Sequence, residues 1–125
     1  MGWRVLLVGA LMVQLVVLYT PGSAVPSMGI PGIDKVIHLT IFAVPALAIT
    51  QLTRARWPLL LLAAHGLLSE LVQHWLIPHR GGDWRDLLTD LAGVALGAAV
   101  GWSISRLRLR RGDGPAGRPA EASPH

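Results

Sequence analysis

Residues 57–105 read WPLLLLAAHGLLSELVQHWLIPHRGGDWRDLLTDLAGVALGAAVGWSIS. Two long apolar runs, Trp57 to Ile77 and Leu87 to about Ser105, flank a short polar turn. Each is close to the roughly 20 residues a helix needs to cross the hydrocarbon core of a bilayer. Pro58 suits the first turn of a helix, where its missing N–H costs nothing. The turn holds Pro78, His79, Arg80, Gly81 and Gly82. Asp83 then reads as an N-cap, with Asp86 at its third position in an acidic version of the capping box.

Upstream lie the tight turn Thr53-Arg54-Ala55-Arg56 and another apolar run, Val36 to Leu52. Asp34 stands at that run's N-cap or first turn. Pro45, inside it, removes one backbone hydrogen bond and is expected to kink the helix. Residues 21–33 are rich in Pro, Gly and Ser and read as a loop. The first run, Val5 to Tyr19, is short for a span, but Arg4 and Tyr19 can extend its reach at the interfaces. A rival reading takes this basic start, apolar core and Gly22-Ser23-Ala24 as a cleavable signal peptide. The expectation is an all-α integral membrane protein with four transmembrane helices. Its divisions are a first helix (1–20), an extracytoplasmic loop (21–34), a three-helix core (35–106) and a basic, disordered tail (107–125).

Composition agrees. The chain is 52% hydrophobic and 14% charged, against about 25% charged in a typical soluble domain. The absence of cysteine excludes disulfides, thiolate metal sites and cysteine nucleophiles. A pI near 11.1 raises nucleic acid as a partner, but the positions of the basic residues argue for a membrane. Arg4, Arg54, Arg56, Arg106, Arg108, Arg110, Arg111 and Arg118 fall on one side of the spans; Lys35, Arg80 and Arg85 fall on the other. The positive-inside rule then places both termini in the cytoplasm of a multi-pass cell-membrane protein. The basic tail is an anchor that touches anionic lipid, not a nucleic-acid arm.

The acids carry the functional signal. Asp34, Glu70, Asp83, Asp86 and Asp90 all fall on the outer side. At about 1.5 Å rise per residue, Glu70 and Asp90 each lie roughly 10 Å from the outer end of their helix. His38 and Gln73 lie about 6 Å deep, and His74 and Asp86 about 4–5 Å. The faces match too. Asp86, Asp90, Gly93, Gly97 and Gly101 form one helical stripe, and its glycines let another helix approach closely. Gly66, Glu70 and Gln73 form a second stripe with Ser69 beside it; Asp34, His38 and Pro45 form a third. Facing one another, these stripes are expected to make a polar pocket open to the outside and sealed below by glycine packing.

Plainer readings stand beside this one. Asp34, Asp83 and Asp86 also serve as caps or dipole partners. Lys35, Arg80 and Arg85 also serve as interfacial anchors, and His65 as a hydrogen-bonded core histidine. Glu70, Gln73 and Asp90 are too deep for such roles. Two carboxylates at one depth call for a proton on one of them or a cation between them.

In these residues the chain resembles the VanZ-like family. The resemblance rests on Asp34-Lys35-x-x-His38, on Gly66-x-x-x-Glu70-x-x-Gln73 followed by Pro78 and Arg80, and on Asp86 followed by Gly93 and Gly97. It covers about residues 30–105. One departure is Asp90, where the family usually has Asn. The resemblance implies a cell-envelope protein, the family's namesake being associated with resistance to the glycopeptide teicoplanin.

Three functions remain open at this level. The first is binding of an amphiphile, such as a lipid-linked envelope precursor or a lipoglycopeptide. Arg80 and Lys35 would meet its anionic groups, and Glu70, Gln73, Asp86 and Asp90 its hydroxyls or amines. The second is an intramembrane enzyme using His38 as general acid or base, although no nucleophile motif is present. The third is a small transporter or proton relay. No cofactor or metal is expected, although His38, Glu70 and Asp90 are residue types that suit divalent ions. Monomer and oligomer are both open.

Overall fold

The computed structural model describes residues 1–24, 29–79 and 81–112. Its elements are α1 (Gly2–Tyr19), a 3-10 turn (Gly22–Ala24), α2 (Ile33–Leu52), α3 (Trp57–Leu76) and α4 (Trp84–Arg110). All four α-helices are long and apolar enough to cross a membrane by length and composition, which makes this a multi-pass membrane protein. Arg108 lies 6.0 Å from the Trp3 ring, so the start of α1 and the end of α4 share one end of the bundle.

Local chemistry explains the boundaries. Gly32 precedes α2 with φ 77°, a left-handed conformation that glycine adopts without steric cost. Asp34 therefore sits in the first turn, where its charge favours the helix dipole. Pro58 occupies the first turn of α3. Asp83 caps α4, its carboxylate accepting from the Arg85 N–H at 3.0 Å. Asp86 does not complete a capping box: its side chain turns to Lys35 of α2 instead. The helix also overruns the expected start of the tail, since α4 continues to Arg110. Arg and Leu are strong helix formers, and Arg108 and Arg110 suit the negative C-terminal end of the dipole. The rest of the expected disordered tail, 113–125, lies outside the described residues. α2 is continuous through the buried Pro45.

The helices alternate in direction, so α2 and α4 run parallel, and theirs is the most extensive interface in the bundle. The glycine stripe makes it. A Cβ on Gly93 would stand 2.5 Å from the Leu39 carbonyl oxygen, and one on Gly97 would collide with the Ala43 carbonyl. A Cβ on Gly101 would collide with Thr50 Oγ1. In a bilayer, where lipid tails are as apolar as leucine, this close backbone approach drives helix association. The core beside the seam contains Leu18, Phe42, Ala46, Leu62, Val94 and Ala98. α1 packs chiefly on α2, and of its residues only Gln14 and Leu18 are buried.

Candidate functional site

The α2–α4 seam carries polar rungs at the end where α2 and α4 begin. At its edge, Lys35 Nζ donates to Asp86 Oδ1 at 2.9 Å and reaches Asp34 at 3.4 Å. One turn deeper, His38 Nδ1 lies 2.8 Å from Asp90 Oδ1. A carboxylate can only accept, so the imidazole N–H donates. The spacings 35 to 38 and 86 to 90 are each one helical turn, which is why both rungs form in a single parallel register.

Glu70 of α3 completes the layer. His38, Glu70 and Asp90 each offer a donor atom within 4.8 Å of the other two. All three are buried, at 4%, 6% and 0% exposure. Gly66, one turn from Glu70, lets α3 close on this layer, for its missing Cβ would already touch Asp90 Cβ and the Phe42 ring at 3.4 Å. Glu70 Oε2 accepts the Asp83 backbone N–H at 2.9 Å, tying the start of α4 to α3. A Cβ on Gly82 would lie 2.5 Å from the Glu70 carbonyl oxygen. The loop thus folds down onto the layer.

That closure corrects one expectation. His38, Glu70 and Asp90 form a buried layer in place of a pocket open to the outside, while Asp34 and Lys35 stay partly exposed at its edge. The cause is this loop together with the Lys35–Asp86 pair, neither of which helix periodicity describes. Within the layer two carboxylate oxygens, Glu70 Oε1 and Asp90 Oδ2, are buried without a hydrogen-bond partner. Such groups cost about 1–3 kcal/mol each, more when charged.

The remaining expected residues are distributed as follows. Gln73 is buried but turns to α1, donating to the Leu18 carbonyl at 3.0 Å. Asp34 is mostly exposed. Arg80 lies outside the described residues. His65 bonds the Tyr19 hydroxyl at 3.1 Å and packs near Phe42, a core histidine. His74 is exposed against Trp75.

Two features escaped the sequence reading. Gln14 of α1 is fully buried, with neither amide atom partnered. Its signal was being the one amide in an otherwise apolar run. At the opposite end of the seam, a cavity of about 660 Å³ is lined by residues including Gln51, Arg54, Arg56, Trp102, Arg106 and Arg108. No acid lines it. Gln51 crosses the seam there, donating to the Gly101 carbonyl at 2.7 Å.

Compared with known proteins, the chain matches no family model, no curated protein and no solved structure.

Proposed function

We propose that this is a VanZ-like protein of the cell envelope whose acid-bearing end recognises the polar head of an amphiphilic ligand. One observation carries the reading: three helices bury two carboxylates and an imidazole in one layer, directly beneath the Lys35–Asp86 pair at the bundle's edge. Ionisable groups inside membrane spans are expensive, and their retention marks function. Lys35 faces anionic groups of the ligand, and the layer beneath supplies acceptors for hydroxyls or amines. Because the layer is closed, binding requires the Gly81–Asp83 loop to lift. A lipid-linked envelope precursor or a lipoglycopeptide such as teicoplanin fits this chemistry. The termini face the cytoplasm, where the arginines at the other end meet anionic lipid.

A second reading draws on the His38–Asp90 pair, which resembles the oriented histidine of a general acid or base; it makes the protein an intramembrane enzyme on the same ligand class. Glycopeptide tolerance of a host expressing the protein tests the first reading. Glu70→Ala and Lys35→Ala are expected to lower tolerance at equal membrane abundance, and unchanged tolerance counts against binding. Turnover of labelled envelope lipid, lost in His38→Ala, replaces the first reading with the second.

A further inference from the structure

We infer that His38, Glu70 and Asp90 form a binding site for one divalent transition-metal ion, of the class represented by Mn²⁺, Co²⁺ and Zn²⁺. The inference stands apart from the amphiphile reading, for it rests on the buried layer alone. One donor atom from each residue lies within 4.8 Å of the other two. Around an ion with three ligands at about 2.1 Å, donors sit about 3.0–3.6 Å apart. The widest separation therefore has to close by up to about 1.4 Å as the side chains turn onto the ion.

Two further facts point to an ion. Glu70 Oε1 and Asp90 Oδ2 are buried and have no partner among the described residues, so each has a lone pair that none of those residues satisfies. The charges also balance: two carboxylates, a neutral imidazole and a divalent cation sum to zero. In a low-dielectric layer that neutrality is worth more than at a surface. One imidazole with two carboxylates suits first-row transition ions, whereas Ca²⁺ favours an all-oxygen shell. The three ligands come from three helices, so the ion would clamp α3 onto the α2–α4 seam.

The test uses the full-length protein purified in detergent and Co²⁺ as the probe. One equivalent per chain is expected, with visible absorption bands and a raised unfolding temperature. The isosteric variants Glu70→Gln and Asp90→Asn are expected to weaken binding by at least about tenfold, while Ser103→Ala, exposed near the far end of α4, leaves it unchanged. A readout that needs no variant is the NMR spectrum of ring-labelled histidine in the unsubstituted protein. Co²⁺ is expected to shift or broaden the His38 signal before those of the other four histidines. Absence of saturable binding overturns the site. So does binding that is indifferent to Glu70→Gln and Asp90→Asn, or that perturbs another histidine first.

Discussion

The two ends of the α2–α4 seam are built on opposite principles. At the acid-bearing end every rung pairs a base with an acid, and the deeper rung is sealed from solvent. At the other end, among the described residues, four arginines and no acid line a cavity. Two of them stand over aromatic rings, Arg56 lying 5.9 Å from the Trp102 ring and Arg108 6.0 Å from that of Trp3. Between the ends, glycines bring the same two backbones together. The contrast teaches that one helix pair supports two kinds of polar chemistry because the glycine-packed middle holds it rigidly. The sealed end stores charge within the protein; the arginine end leaves its charge facing outward.

Breaking the shared middle should have the largest effect. Gly97→Val drives a side chain into the Ala43 backbone, an overlap that no side-chain rotation relieves, so the two helices have to separate. Both ends should come apart, read as loss of the folded species on gel filtration. Gly9→Ala, where an added Cβ meets nothing within 4 Å, is the control. Next comes Asp90→Ala, which strips the buried His38 of its partner. Removing one member of a buried pair costs about 3–5 kcal/mol, and a His38–Asp90 double-mutant cycle should show coupling of about 1 kcal/mol or more. Asp90→Asn keeps an acceptor for the imidazole and should cost less. Equal effects from the two substitutions would show that acceptor geometry is unimportant at this rung.

Lys35→Met removes a rung whose lysine is 41% exposed. A partly solvated pair of this kind contributes about 0–1 kcal/mol, so unfolding should shift only slightly. The smallest effect on stability belongs to the arginine end. Arg54→Gln combined with Arg106→Gln should alter stability by within about 0.5 kcal/mol, yet weaken the charge bias that orients the chain. Reporter fusions at the C-terminus would register that change. A large loss of stability there would erase the contrast between the two ends.

Much of this was legible in the sequence because helices repeat. Counting residues from the helix ends set Glu70 and Asp90 at one depth, and periodicity aligned Asp86 and Asp90 with Gly93, Gly97 and Gly101. Pro58 and Asp83 marked their helix starts because their local chemistry is self-contained. What stayed hidden depends on tertiary placement. The sealing of the layer turns on the Asp83 N–H reaching Glu70 Oε2, a contact between a loop backbone and a neighbouring helix. Gln73 looks equivalent to Glu70 by spacing, yet it serves α1; nothing in the stripe says which neighbour each side chain meets. Gln14 was one amide in an apolar run until α1 docked and buried it.

The account depends most on α2 and α4 placing His38 beside Asp90. The chain has no native cysteine, so a His38→Cys/Asp90→Cys variant can be treated in intact membranes with a short bifunctional thiol cross-linker without background. A cross-link within one chain is predicted, while Val36→Cys/Leu60→Cys, near opposite ends of the bundle, stays unlinked. Failure of the first pair to close in protein that is otherwise folded, or closure only between separate chains, would contradict the shared layer.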